Sequence, residues 1–181
     1  MIKMHNGEKV EILINAEEIQ ARVKEVAAEI AADIGDEPIT LLGTLKGAIF
    51  FLTDLARHLG SNVEIDFIKA SSYGNRTKSD GVVQLEHFPG TVLAGRNIII
   101  VEDIVDSGYT VKYLREYIQK EGPASIKICS LLDKPDRREV AAVKCDYLGF
   151  TVPDKFLVGY GLDYSQRYRN LPYIGVLHLP M

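Results

Sequence analysis

The feature that most constrains the fold is an apolar run, residues 98–101, that leads directly into two acids, Glu102 and Asp103. A short, bounded and continuously apolar run is typical of a strand that is buried on both faces, as in a parallel sheet. After two more apolar residues the chain turns through small and hydroxyl-bearing residues and then begins a helical pattern. The sequence therefore predicts a strand-to-helix junction at the carboxyl edge of an α/β sheet.

The side chains of this junction suit a phosphate and a sugar together. The polar and small members are Glu102, Asp103, Asp106, Ser107, Gly108, Tyr109 and Thr110. N–H groups at a helix start can hold a phosphate, and a glycine there permits close approach. Carboxylates would repel a phosphate, but they accept hydrogen bonds from ribose hydroxyls and offer oxygen ligands to Mg2+. An ordinary Asp/Ser helix cap is the alternative, and it leaves the paired acids unexplained.

Strand and helix patterns alternate along the rest of the chain. Predicted strands cover residues 10–14, 39–45, 63–70, 82–86, 97–102, 125–132 and 145–148. Helical spacing of apolar residues follows at 16–34, at about 48–59 and after residue 109, and Asn15 with Glu18 predicts a capping box for the first helix. This alternation predicts a mainly parallel α/β sheet with right-handed crossovers, which binds ligands at the carboxyl ends of its strands.

Length and charge exclude several classes. The 181 residues suit one domain, residues 1–181. The net charge of −4 gives no basic bias, so we expect no nucleic-acid binding, and local donors and metal must hold an anionic substrate. Residues 1–7 are polar, and no run approaches the roughly 20 apolar residues of a membrane span, so we expect no membrane partner and a cytoplasmic location.

The cysteines and histidines suggest no metal site. Cys129 and Cys145 fall in predicted strands and are expected to be free thiols. The 4 histidines are scattered without the spacing of metal ligands.

Residues 101–110 resemble the phosphoribosyl-pyrophosphate loop of the type I phosphoribosyltransferases: apolar residues, two acids, two more apolar residues, then Asp-Ser/Thr-Gly-x-Thr. The resemblance implies the fold of that family, a mainly parallel β-sheet flanked by helices, with a small hood formed by the terminal segments and a flexible loop. It implies that Glu102 and Asp103 order the ribose hydroxyls and a metal shell. Asp106 would be the general base that takes a proton from the substrate base.

Lys46 and Gly47, after the predicted strand 39–45, resemble the pyrophosphate loop of the family. The peptide bond before the position of Lys46 is often cis in that family, and the sequence leaves its state open here. Arg169 resembles the arginine that clamps pyrophosphate, although Asn170 stands where the family commonly has Asp. Asp163 resembles a ligand of a second Mg2+. A loop turn and a surface ion pair are the alternative interpretations.

Residues 71–74 resemble the flexible loop that closes over the reacting atoms in this family. They are Ser71, Ser72, Tyr73 and Gly74. Closure would exclude water, the competing nucleophile.

Lys134 and the segment beginning at Phe156 resemble the hypoxanthine-guanine branch of the family. A lysine only donates hydrogen bonds, so it suits the 6-oxo oxygen of a purine and would confront the amino group of adenine. Phe156 would stack on the ring, which contributes about 1 to 3 kcal/mol per base. Backbone groups near Leu157 and Asp163 would read the remaining edge of the base. The family often has valine at the position of Leu157.

The resemblance implies a Mg2+-dependent purine salvage enzyme that joins a 6-oxopurine to 5-phosphoribosyl 1-pyrophosphate. It also implies a homodimer or homotetramer. The sequence leaves open the preference among hypoxanthine, guanine and xanthine. Two alternatives remain: a sister enzyme for xanthine, adenine or a pyrimidine, and a regulatory protein that keeps the fold and binds nucleic acid, for which the chain shows no basic face.

Overall fold

The structure is a computed structural model that describes residues 2–3, 7–72, 83–87 and 92–180. In order, the elements of these residues are β1 (Ile2–Lys3), β2 (Lys9–Ile14), α1 (Ala16–Ile34), β3 (Ile39–Leu45), α2 (Ile49–Arg57), β4 (Val63–Ser72), β5 (Val83–His87), β6 (Asn97–Val105), α3 (Tyr109–Gln119), β7 (Ser125–Asp133), β8 (Tyr147–Thr151), β9 (Leu157–Val158) and β10 (Ile174–His178). They form two sheets.

The central sheet has the strand order β5-β4-β3-β6-β7-β8. All of its pairs are parallel except β4 with β5, which is antiparallel. Strand β3 lies in the middle, and six of its seven residues are buried, as its apolar composition requires. The predicted α/β fold with a mainly parallel sheet is confirmed.

The terminal sheet joins the two ends of the chain. It is antiparallel, with the order β1-β2-β10-β9. Strand β10 pairs with β2 on one side and with the short β9 on the other, and β9 leads into the segment that carries Asp163 and Arg169. The terminal sheet therefore positions this segment of the chain.

Helix α1 begins at the predicted capping box. The Asn15 side chain accepts a hydrogen bond from the Glu18 N–H at 2.9 Å, and the Glu18 carboxylate accepts one from the Asn15 N–H at 2.8 Å. These bonds satisfy two N–H groups that the first helical turn would leave unpaired. The buried face of α1 packs with α2 in the main core. None of the helices in the described ranges is long and apolar enough to cross a membrane.

Three expectations need correction. Asp103 lies within β6, beyond the predicted end of the strand at Glu102, because β6 continues its pairing with β7 as far as Val105 opposite Asp133. Ser71 and Ser72 continue β4 by pairing with β5, so they are not part of a loop; Tyr73 and Gly74 lie outside the described residues. The third correction concerns Cys145, which precedes β8 and does not lie in a strand.

Candidate active site

A cavity of about 330 Å³ opens at the carboxyl ends of β3 and β6. Its lining comes from residues 44–47, which are the end of β3 and the two residues that follow it. The rest comes from residues between 102 and 111, at the end of β6 and the start of α3. These are the positions at which parallel α/β sheets bind ligands. The predicted ribose and pyrophosphate segments thus face one cavity.

Glu102 is a buried acid whose carboxyl group is only partly hydrogen-bonded by the described residues. The residue is 4% exposed, and one carboxylate oxygen accepts a hydrogen bond from the Thr44 hydroxyl at 2.5 Å. The other oxygen, Oε1, is buried without a hydrogen-bond partner in the described residues. Burial, and then repulsion by Asp103, raise the pKa of Glu102 to about 8, against the opposing effect of Thr44.

Asp103 lies beside Glu102 and directly against Gly47. Burial raises the pKa of Asp103 to about 6, while hydrogen bonds from backbone N–H groups, including that of Ile104, and the charge of Arg169 oppose the rise. A Cβ atom at Gly47 would lie 1.6 Å from Asp103 Oδ2. Only glycine lets this acid and the segment after β3 come so close.

Asp106 lies at the start of the β6–α3 loop. Its Oδ1 forms an ion pair with Arg137 Nε at 3.2 Å. Gly108, the N-cap of α3, has φ of +92°, in the left-handed region that glycine tolerates. The loop therefore turns sharply from β6 into the helix and presents its N–H groups at the helix start.

The predicted pyrophosphate residues meet at a second close approach. The Leu45–Lys46 peptide bond is cis. A Cβ atom at Gly161 would lie 1.9 Å from the carbonyl oxygen of Gly47, so the segment after β9 packs directly on the segment after β3. Arg169 Nη2 lies 2.7 Å from Asp163 Oδ1. The structure thus brings Lys46, Gly47, Asp163 and Arg169 to one region.

Gln166 connects the cations of this region and was not predicted from the sequence. Lys46 Nζ donates a hydrogen bond to Gln166 Oε1 at 3.2 Å, and Arg169 Nη2 lies 3.5 Å from the same oxygen. Gln166 has φ of +65°, and its N–H donates to Asp163 Oδ2 at 2.9 Å. No local motif marks such a residue, since its partner Lys46 is 120 positions away.

The predicted purine-reading residues lie beside the cavity, outside its lining. Lys134 follows β7 and is 6% exposed; its Nζ donates to the Lys155 carbonyl at 2.7 Å. Phe156 is the next residue along from Lys155 and is 54% exposed, with its ring edge-to-face against Tyr164 at 5.7 Å between centroids. Leu157 is buried in β9. Lys134 therefore binds the backbone of the residue that directly precedes the exposed ring of Phe156.

The carboxylates of the cavity suit a magnesium ion that keeps ligands from water and substrate. Within the described ranges, no group of three His, Cys, Asp or Glu side chains converges to enclose a metal. Mg2+ is usually bound by one or two carboxylates together with waters and substrate phosphates. The unpartnered Oε1 of Glu102 and the adjacent Asp103 are hard oxygen donors of that kind, so they fit the ion.

The model of the phosphoribosyl transferase domain matches residues 10–165. The hypoxanthine-guanine phosphoribosyltransferase of Bacillus subtilis is 51% identical over 96% of the chain and 94% of that protein. A crystal structure of a hypoxanthine-guanine phosphoribosyltransferase from Bacillus anthracis, with HEPES in its active site, has a TM-score of 0.88 at 42% identity, over 95% of the chain and 99% of its own. A hypoxanthine phosphoribosyltransferase structure from Staphylococcus aureus has a TM-score of 0.88 at 41% identity, over 93% and 91% of the two chains.

Proposed function

The chain belongs to the phosphoribosyltransferase family, and from that premise we propose that it transfers a phosphoribosyl group to hypoxanthine, and to guanine, in purine salvage. The bond between ribose C1′ and the pyrophosphate oxygen breaks, and a bond between C1′ and a purine ring nitrogen forms. The ring nitrogen loses its proton, and pyrophosphate leaves. The observation that carries the proposal is the cavity that joins the buried Glu102 and the adjacent Asp103 to a helix N-terminus.

The ribose 5-phosphate part of the donor is bound by the β6–α3 loop. N–H groups at the start of α3 and the hydroxyls of Ser107 and Thr110 hold the phosphate, with Tyr109 and the turn at Gly108 completing the loop. Glu102 and Asp103 accept hydrogen bonds from the ribose hydroxyls. Their location at the carboxyl end of β6 supports this assignment.

The leaving group lies over the segment after β3. Backbone groups of Lys46 and Gly47 and the guanidinium of Arg169 neutralise it, which lowers the barrier because charge develops there in the transition state. Glu102, Asp103 and Asp163 would hold Mg2+, as ligands or through its water shell. When bound, Mg2+ supplies positive charge to the leaving group and orients it.

The purine lies between Phe156 and the Lys134 ammonium. Lys134 donates to the 6-oxo oxygen, Phe156 stacks on the ring, and backbone groups near Leu157 and Asp163 read its other edge. Asp106 takes the proton from the imidazole ring of the base. The exposed ring of Phe156 and the buried stem of Lys134 support these roles.

Four wider assignments follow from the same proposal. The chain forms one domain whose terminal sheet is the hood over the base, and the closing loop begins after Ser72 and includes Tyr73 and Gly74. The enzyme is a homodimer or homotetramer. It works in the cytoplasm, where its phosphorylated donor is retained by its charge.

The proposal is tested by incubating the protein with 5-phosphoribosyl 1-pyrophosphate and Mg2+ against hypoxanthine, guanine, xanthine, adenine and uracil separately. We expect nucleotide from hypoxanthine or guanine and none from adenine, because Lys134 confronts an amino group with donors. Turnover of adenine or uracil instead would contradict the base assignment. Binding of the donor without turnover of any base would contradict the enzymatic assignment and favour a regulatory protein.

A further inference from the structure

Arg138 holds the outer side of the β6–α3 loop without facing the cavity. Its Nε donates to the Asp106 carbonyl at 3.1 Å, and its Nη2 lies 3.5 Å from the Val105 carbonyl and ion-pairs with Asp133. Its Nη1 donates to the Val143 carbonyl at 2.7 Å. The side chain is 14% exposed. One guanidinium thus fastens the loop to the end of β7 and to residue 143.

The backbone around Arg138 completes the same contact. The Ser107 carbonyl accepts hydrogen bonds from the N–H groups of Glu139 and Val140, each at 3.0 Å, and the Val105 carbonyl accepts one from the Lys134 N–H at 3.0 Å. Three successive loop carbonyls, at residues 105–107, therefore point toward segment 134–140. A trans peptide directs its N–H opposite to its C=O, so the N–H groups of residues 106–108 point away from that segment.

We propose that Arg138 is a positioning residue for the phosphate of the ribosyl donor: it fixes the loop carbonyls outward so that the loop N–H groups converge on the phosphate. This inference rests on the proposed function. Arg138 touches no substrate; it acts through the carbonyl of Asp106, the residue whose carboxylate is the proposed base. A preorganised donor set binds an anion without the cost of ordering the loop.

Close packing at Gly108 supports a fixed arrangement. A Cβ atom at Gly108 would lie 3.2 Å from Arg138 Cδ and 3.3 Å from Val140 Cβ. The stem of Arg138 therefore packs against the turn that begins α3, while its head binds the carbonyl preceding Ser107. A shorter or uncharged side chain would release both contacts.

Arg22 provides a matched control. Its guanidinium also binds two backbone carbonyls, of Leu148 at 2.7 Å and Gly149 at 3.1 Å, and pairs with carboxylates of Glu25 and Glu29. Its side chain is 26% exposed, and it joins α1 to β8 outside the cavity lining. If the loss of affinity came merely from removing an arginine that binds backbone carbonyls, Arg22→Gln would lose as much affinity as Arg138→Gln.

The experiment measures binding of IMP and of inosine, which lacks the 5′-phosphate, to wild type, Arg138→Gln, Arg138→Lys and Arg22→Gln. We expect Arg138→Gln to reduce the ratio of IMP affinity to inosine affinity by about tenfold. This corresponds to the loss of roughly one charge-assisted hydrogen bond between a loop N–H group and the phosphate. It should raise KM for the ribosyl donor by a similar factor and leave KM for hypoxanthine nearly unchanged. Arg138→Lys, which keeps the charge, should show a smaller loss, and Arg22→Gln none.

If both Arg138 variants keep the wild-type ratio of IMP affinity to inosine affinity, the proposed role of Arg138 is wrong. An equal rise in KM for the ribosyl donor and for hypoxanthine would also contradict it. If Arg138→Gln fails to fold, Arg138→Lys decides by the same ratio. A wild-type protein that binds IMP no better than inosine would instead contradict the proposed function, so the two failures are distinguishable.

Discussion

Two buried glutamates, one beside the terminal sheet and one in the central sheet, have opposite surroundings. Glu8, just before β2, is 5% exposed; its carboxylate accepts hydrogen bonds from Arg167 Nη2 at 2.7 Å and from the Tyr168 hydroxyl. Glu102, in β6, is 4% exposed and has one neutral donor, Thr44, and one buried oxygen without a partner in the described residues. The two acids are about equally buried, yet within the part of the chain that the structure describes only Glu8 has a cation beside it.

This difference separates a structural role from a binding role. Removing one partner of a buried ion pair is costly, so Glu8 fastens the amino-terminal segment to residues 167 and 168. A buried carboxylate without compensation destabilises the fold, and it persists where a ligand will supply the missing partner. We therefore expect substitutions beside Glu102 to affect catalysis and substitutions at Glu8 to affect stability.

The largest expected effect is that of Asp106→Asn. The amide cannot accept the purine proton, so kcat should fall about 10² to 10⁴-fold, the usual contribution of a general base. The melting temperature should change little, because the side chain is partly exposed. Asp36→Asn, an exposed acid before β3 at the opposite edge of the sheet, is the control. Unchanged turnover in Asp106→Asn would remove it as the base.

Gly161→Ala should break the contact between the segment after β9, which the terminal sheet positions, and the segment after β3 of the central sheet. Its φ is +106°, and the new methyl group would lie 1.9 Å from the Gly47 carbonyl, so the segment carrying Asp163 must move away from Lys46. Misplacement of about 1 Å costs on the order of 100-fold in rate. Gly60→Ala, with nothing within 4 Å, should keep full activity in the same assay. Equal kcat/KM in both variants would contradict the close approach.

Lys134→Ala should affect the KM values of the two substrates unequally. Loss of a charge-assisted hydrogen bond to the 6-oxo group should raise KM for hypoxanthine by about tenfold, with a much smaller change for the ribosyl donor. Lys155→Ala is the control, since Lys155 is exposed and Lys134 binds its backbone carbonyl, which the substitution keeps. Equal losses for both substrates in steady-state kinetics would count against the assignment of Lys134.

Glu8→Gln tests the structural half of the comparison. The change weakens the ion pair with Arg167, which is partly screened because that side chain is 41% exposed. We expect the free energy of unfolding in urea to fall by about 1 to 3 kcal/mol. Glu11→Gln, an exposed acid on β2 paired only with His178 in the described residues, should lower it by less than about 1 kcal/mol. Equal losses would show that burial of Glu8 has no consequence.

The sequence was sufficient to predict features that depend only on residues close together in the chain. The motif at 101–110, the strand bounds of β3 and the Asn15 capping box all depend on neighbouring residues, and the structure confirms the strand and the cap. It did not reveal that β6 extends past Glu102 to include Asp103, because that depends on how far β7 pairs alongside.

Contacts between distant residues were beyond the sequence. Glu8 meets Tyr168 across 160 positions, and Lys46 meets Gln166 across 120. Arg138 has no motif of its own, since its partners are backbone carbonyls that any residue provides. Such residues become visible only when the fold places them.

The central claim is tested most directly by thermal unfolding of wild type and Glu102→Gln, without Mg2+ or substrate, from pH 5 to pH 8. Burial raises the pKa of Glu102 from 4.5 to about 8, so the folded protein keeps a proton that the unfolded chain loses. The contribution of Glu102 to stability is therefore present below pH 4.5 and is lost as the pH rises toward 8. We predict that Glu102→Gln melts above wild type at pH 8, with the difference shrinking toward pH 5. A variant that melts below wild type at pH 8 would show that Glu102 stabilises the fold and would contradict the account.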